Sequence, residues 1–191
     1  MAVELVVPTV SHLDSYRAAL RRRWSPNTMR PEAADDELSA IEEDPAAFLA
    51  SKDDPTGAGP AIVQADGSSR PRLPGFTRWL WDGDFAGSIN ARWQPGTVEL
   101  PPHVPGHVGY SIVPWRRRRG YATAAIGLLP SELRDTGLAH VDLTTDEDNI
   151  GSRRAIEANG GFLVGRVEPA GDPNHGDRGV AILRYRIDLE E

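Results

Sequence analysis

The 191-residue chain contains no cysteine. That excludes disulfides, a thiolate nucleophile and any cysteine-ligated zinc, and no metal site is expected. No apolar stretch approaches the ~20 residues that a membrane-spanning helix needs, so no membrane partner is expected. The opening MAVELVVPTV carries no basic segment and only a short apolar run, which predicts no secretory signal and a cytoplasmic location. Neither G-x-x-x-x-G-K-[ST] nor G-x-G-x-x-G occurs, which argues against a nucleotide-dependent phosphotransferase. Internal repeats and low-complexity tracts are also missing. Positive charge is the scarcer sign, 21 Lys and Arg against 28 Asp and Glu for a net −7, and this disfavours nucleic acid as a partner.

What the chain does have, 39% apolar and 26% charged residues, is the make-up of a globular protein. A single domain over residues 1–191 is expected. Four of its 21 basic residues stand together in one loop, in the stretch 106–161 around which the chain is organised. A short alternating strand over 107–113 stops at Pro114, four arginines follow, and after Gly120-Tyr121-Ala122 an Ala-rich helix begins. Backbone N–H groups opening a helix have no partner within it, and the helix dipole makes that end positive, so phosphate oxygens settle there. Gly120 and Ala122 keep side-chain bulk low where a ligand must come close. An anionic cofactor and a neutral or cationic second substrate follow as expectations.

Along the rest of the chain, residues 3–7 read as a strand, and Ser11 as the N-cap of a helix whose stripe is Leu13, Tyr16, Leu20 and Trp24. Arg21, Arg22 and Arg23 suit that helix's C-terminal dipole. Residues 31–49 form an acidic helical stretch interrupted by Pro45, whose Asp35, Asp36, Glu37, Glu42 and Glu43 read as a polar face. Residues 52–75, rich in proline and glycine, predict a long loop with an extended piece at 61–64, either a lid over the acceptor or disordered. A hairpin over 76–81 and 85–93 turns at Asp82-Gly83-Asp84, with Trp79, Trp81 and Trp93 as packing residues. Pro130 predicts a kink or break in the helix that runs from 122 to about 135. A strand over 139–145, a helix over 149–158 with a left-handed cap at Asn159-Gly160, a strand over 162–167, a turn-rich connection over 168–179 and a last strand over 180–189 complete the chain.

The spacing Arg117-x-x-Gly120-x-Ala122 resembles the Q/R-x-x-G-x-G/A signature of the GNAT superfamily of acyl-CoA-dependent N-acetyltransferases. Asp148-Asn149 with Ser152, and Asn159-Gly160-Gly161-Phe162, are similar to that family's second landmark. The match is best over residues 76–165, and GHVGYSIVP, TTDEDN and IEANGG look most like a branch of predicted acetyltransferases. The resemblance implies an α/β (α+β) fold: a mixed, mostly antiparallel central sheet with two splayed central parallel strands and flanking helices. It implies acetyl-CoA as cosubstrate, its pantetheine arm in the splay and its diphosphate on the loop. Arg117, Arg118, Arg119 and Gly120, then Tyr121, Ala122 and Thr123, are the expected cofactor contacts there, with Asn149 and Ser152 on the second crossover.

The implied reaction is transfer of the acetyl group to a primary amine by direct attack, the acceptor being a small molecule or a peptide. A catalytically silent acyl-CoA-binding sensor or interaction module is the alternative, and either reading allows a monomer or a homodimer. The resemblance implies that the strand edge from Tyr110 to Val113, through Ile112 and interrupted by a bulge, pairs with pantetheine, and that the amide of Ser111 or of Ile112 meets the oxyanion. His107 stands where the family often has a glutamate and is the expected general base, with Asp146, Glu147 and Asp148 as alternatives whose other role is helix capping. The family's thiolate-protonating tyrosine position holds Ile156. Water, Ser152 or another tyrosine then takes that role, or the thiolate leaves unprotonated.

Overall fold

The computed structural model describes residues 3–28, 30–63, 69–167 and 180–189. Strand β1 (Glu4–Val6) leads through a 3-10 turn, Val10–His12, into α1 (Leu13–Arg21). The tight turn moves the start of this helix upstream of Ser11: the Thr9 N–H donates to His12 Nδ1 at 3.2 Å, so Thr9 and His12 form the box. Helix α2 (Ala33–Glu43) gives way to α3 (Pro45–Ala50), and Pro45 is the reason for the division. With no N–H to continue α2, it opens a new helix whose orphan amides, Ala46 and Ala47, are taken by the Asp44 carboxylate at 3.0 Å each.

The segment expected as a lid or disordered loop is pinned in its described parts. Strand β2 (Asp53–Asp54) pairs with the start of β5 (Gly75–Trp81), and β3 (Ile62–Val63) pairs with β4 (Ser69–Arg70). Residue 64, the end of the expected extended piece, and the expected turn-rich connection over 168–179 lie outside the described residues. Strand β6 (Phe85–Arg92) completes the hairpin with β5, and β7 (Val108–Ile112) follows. Helix α4 (Tyr121–Leu133) contains Pro130 and ends one turn later, a 3-10 turn and left-handed Gly137 (φ +71°) stopping it. Then come β8 (His140–Asp146), α5 (Ile150–Glu157), β9 (Phe162–Val167) and β10 (Ile182–Asp188).

The main sheet runs β1-β5-β6-β7-β8-β10-β9, with β2 on the same edge of β5 as β1. All pairs are antiparallel except β7–β8. One face packs on α4 and α5, where Leu80, Ile89, Ile126, Leu129, Leu143 and Tyr185 form a buried cluster. The other packs on α1–α3 through an aromatic cluster: Trp79 is fully buried and stacks on Tyr16 at 4.1 Å, with Phe85 and Trp24 set edge-on around them. Each aromatic pair adds about 0.5–1.5 kcal/mol beyond its area burial. Trp79, Trp81 and Trp93 all pack against these clusters, as expected of them.

The parallel pair is what positions the site. Strands β7 and β8 share one register point, Val108 with Leu143, and just before it the His107 N–H donates to the Asp142 carbonyl at 2.7 Å. The approach is close enough there that a Cβ on Gly106 would lie 2.9 Å from that carbonyl oxygen. Beyond this foot the two strands make no further ladder contact, and the gap between them opens toward the N-termini of α4 and α5.

Candidate active site

Gly120 is the N-cap of α4 and adopts φ +81°, ψ 0°, which favours glycine; Arg118, two residues earlier, is also left-handed (φ +59°). No side chain caps this helix, whereas α3 and α5 are capped by Asp44 and Asn149. The amides of residues 118–123 find no acceptor among the described residues. They converge as N–H donors at the positive end of a helix dipole.

The arginines before them divide into two pairs. Arg116 is committed to the β5–β6 turn: it meets Asp82 at 3.0 Å and Asp84 at 3.6 Å, and the Tyr121 hydroxyl donates to the same Asp82 carboxylate. Tyr121 is therefore an anchor by its side chain, and only its amide faces the cradle. Arg117 is also tied, its Nε donating to the Ile112 carbonyl at 3.0 Å. Arg118 and Arg119 are exposed and make no ion pair among the described residues. From α1, Arg22 lies over the Trp115 ring at 3.6 Å, which brings the Arg21–Arg23 corner beside this loop. Nothing in the local pattern of either segment signals that neighbourhood, because it is made by tertiary packing.

The edge of β7 that faces the gap follows from the ladder. The Arg92 N–H donates to the His107 carbonyl and the Val113 N–H to the Ala86 carbonyl, so residues 109, 111 and 113 turn their main-chain groups toward β6, as does the His107 carbonyl, while the His107 N–H goes to β8. The amides of Tyr110 and Ile112 point the other way, into the splay. Two expectations are corrected by this alternation. Ser111 has its amide on the β6 side, and its buried hydroxyl accepts from Trp24 Nε1 at 3.1 Å. Val113 is fully buried, and its carbonyl is taken by the Arg116 amide as well.

On the opposite wall, Asn149 caps α5 by accepting from the Ser152 amide at 3.1 Å, the role expected of Asp146, Glu147 and Asp148 where they do not serve as the base. Glu147 instead pairs with Arg166 at 2.7 Å. Ser152 Oγ lies 2.6 Å from the Tyr110 hydroxyl, so a phenol and a hydroxyl bridge the gap between β7 and α5. Burial pushes the Tyr110 phenol up from its ordinary pKa, against the opposite pull of the Ser152 hydrogen bond. Ile156 is fully buried under Gly161 and does not reach the gap. Tyr110 is expected from the sequence only as part of the strand edge, not by its hydroxyl. The signal available was the missing tyrosine on α5; the structure brings a second phenol to that helix from the strand.

His107 is 2% exposed. Its Nδ1 accepts from the Asp142 N–H at 3.0 Å, which places the ring proton on Nε2 and leaves no free lone pair for an amine proton. Burial holds its pKa below the ordinary value; the Asp142 charge pulls the other way, while His140 and Arg92 push with burial. A buried, hydrogen-bonded imidazole of this kind braces the foot of the splay, and its engaged Nδ1 counts against the expected role of general base.

Asp142 beside it is held by Arg186, Nε to Oδ1 at 2.8 Å and Nη2 to Oδ2 at 3.1 Å. Burial raises its pKa, but the Arg186 bonds and charge, with the two histidines, outweigh that, and the net direction is down. A folded pKa below the unfolded value of about 3.9 means stability that is complete above that pH and lost as pH falls through the folded value. Asp142→Asn is expected to cost about 1–2 kcal/mol at pH 7, the arginine, 34% exposed, discounting a buried pair. In thermal melts the gap from wild type should be full near neutrality and narrow as pH falls below the ordinary carboxylate range.

The acetyltransferase (GNAT) domain family model matches residues 3–161. Compared by sequence with curated proteins, the chain matches none. Among solved structures, the microcin C7 self-immunity acetyltransferase MccE, in complex with acetyl-CoA and AMP, is 15% identical at a TM-score of 0.59, covering 98% of this chain and 93% of that one. The acetyltransferase from Salmonella typhimurium that modifies the N-terminal serine of ribosomal protein L7/L12 is 13% identical at 0.62, covering 100% and 96%. RimL in complex with coenzyme A is 10% identical at 0.60, covering 99% and 95%. These likenesses are of fold.

Proposed function

The chain belongs to the GNAT acetyltransferase family, and from that premise we propose that it transfers the acetyl group of acetyl-CoA to the primary amine of a small molecule or peptide by direct attack. The observation that carries this reading is the uncapped N-terminus of α4 at the open end of the β7–β8 gap, with the Tyr110 and Ile112 amides turned into that gap. The diphosphate sits on the amides of residues 118–123, with Arg118 and Arg119 adding charge. Pantetheine, which is peptide-like, pairs with the free edge of β7 as an added strand would. The Ile112 N–H serves the pantetheine arm. The Tyr110 N–H, deeper toward the foot, serves the thioester carbonyl and the oxyanion it becomes.

The amine lone pair forms the new C–N bond while the C–S electrons return to sulfur. The Tyr110 hydroxyl gives its proton to that sulfur, and the proton that nitrogen sheds returns to the phenolate through Ser152. The amine enters neutral, since His107 has no lone pair to offer it. Acceptors of this size arrive through the side of the sheet that α1–α3 cover. Two acidic groups of α2 are already spent there: Glu37 on Lys52 at 2.8 Å and on Tyr16, and Asp36 on Arg30 at 2.9 Å.

The second reading, a silent acyl-CoA binder, draws on the burial of Ile156 and the locked imidazole of His107. An amine panel incubated with protein and acetyl-CoA, with free thiol followed over time, separates the two. Amine-dependent thiol release supports transfer; tight coenzyme A binding with no thiol release from any amine leaves the silent binder.

A further inference from the structure

On the sheet face opposite α4 and α5, neighbouring strands carry a row of charge past the closed foot of the splay. Arg92 lies on β6, His107 at the start of β7, Asp142 on β8, and Arg184 and Arg186 on β10. Among the described residues no helix covers this end. Residues 98–105 arch over it and enclose a cavity of about 190 Å³ lined by His107, Asp142, Arg184 and Arg186. The cavity continues into a groove of about 430 Å³ along β9 that shares Pro102, Arg184 and Arg186 with it.

The cationic groups there outnumber their partners. Both Asp142 oxygens are taken by Arg186, and Glu99 on the arch also faces Arg186. Arg166, on the groove side, is paired with Glu147. Arg92 spends its Nε on the Gly106 carbonyl and has no acidic partner among the described residues. The Arg184 side chain makes no hydrogen bond or ion pair among them, and its Nε is buried without an acceptor. His107 Nε2, which carries the ring proton, is likewise buried without an acceptor. The Val98 carbonyl lies near it, outside hydrogen-bond geometry. A buried donor left unmade costs about 1–3 kcal/mol, more when charged, and two of them line one polar cavity.

We propose that this cavity binds an anionic oxygen group, a carboxylate or phosphate, carried by the acceptor whose amine is acetylated, with Arg184 as its principal partner and the His107 Nε2–H as a second donor. The inference rests on the acetyltransferase reading for the identity of the ligand as acceptor. His107 precedes Tyr110 by three residues on an extended strand, about 10 Å. The acceptor class is therefore an amine separated from its anion by a chain of several bonds, such as an ω-amino acid or an aminoalkyl phosphate, and not an α-amino acid held by its own carboxylate.

The test titrates 6-aminohexanoate, 6-aminohexyl phosphate and the neutral 6-aminohexanamide, by calorimetry, into wild-type protein and R184Q, each saturated with coenzyme A. Arg184 holds nothing in the fold, so R184Q is expected to fold, and its coenzyme A titration reports that. At least one anionic probe should bind wild type about tenfold or more tighter than the amide, and R184Q should erase most of that difference while Arg184→Lys restores part of it. Which anion binds tighter identifies the source. Equal affinity for charged and neutral probes, or discrimination that survives in R184Q, overturns the proposal. Turnover of the same probes with acetyl-CoA is read separately. Arg184-dependent binding without thiol release removes the transferase reading and leaves the anion site; thiol release indifferent to probe charge and to Arg184 removes the site and leaves the transferase.

Discussion

Valine in place of Gly120 is expected to raise the dissociation constant for coenzyme A about 30-fold, the equivalent of about 2 kcal/mol. The residue sits at φ +81° as the N-cap of α4, a conformation that costs a β-branched side chain more than any other. A Cβ there would meet nothing within 4 Å, so the cost arises from the backbone, and the chain can relieve it only by turning the following peptides. Those peptides carry the amides that receive the diphosphate. Gly137 supplies the control: it too is left-handed (φ +71°) with open space around its Cα, but it ends the turn after α4 instead of opening the helix. Gly137→Val should lower the melting temperature comparably and leave the coenzyme A titration unchanged. If both variants bind coenzyme A like wild type, the turn at Gly120 is not the anion cradle.

Removing the Tyr110 hydroxyl has the largest expected effect on turnover. Tyr110→Phe keeps the ring that packs on the sheet and deletes only the group 2.6 Å from Ser152 Oγ. A positioned acid contributes about 10²–10⁴-fold, so kcat should fall about 100-fold with the acetyl-CoA dissociation constant within about threefold of wild type. A merely structural hydroxyl would move stability and leave kcat. The pH profile separates the cases further. Burial keeps the phenol protonated beyond its ordinary range, and no imidazole titrates as a base, so wild-type activity should climb with pH as the amine deprotonates, without a falling limb below about pH 10. A residual Tyr110→Phe activity equal to wild type removes the phenol from the reaction and leaves water as the proton source.

The parts of this molecule that were legible in the sequence are those set by local chemistry. Pro114, the arginine run and Gly120 mark a strand-to-helix junction whatever surrounds them, and Asn149 with Ser152 marks the start of α5. Both junctions lie where the spacing puts them, and β9 spans its expected residues. The site's inner wall was less legible because it depends on ladder phase. One residue of register decides whether Ser111 or Ile112 turns its amide into the gap, and the strand reads the same in either phase. His107 likewise titrates in the useful range as a residue type; its neighbour across the sheet, the Asp142 amide, removes the lone pair, and no local pattern encodes that neighbour. Tyr110 meeting Ser152 and Arg22 lying on Trp115 are contacts between segments far apart in sequence. They became visible only with the fold.

The most direct measurement is an amide NMR titration of the isotopically labelled protein with acetyl-CoA. The predicted result is a connected set of shifts at residues 118–123 together with Tyr110 and Ile112, while the Ser111 and Val113 amides, bonded to β6, stay close to their free positions. Shifts gathered instead around Arg184 and the 98–105 arch, with the first turn of α4 unmoved, would contradict the account.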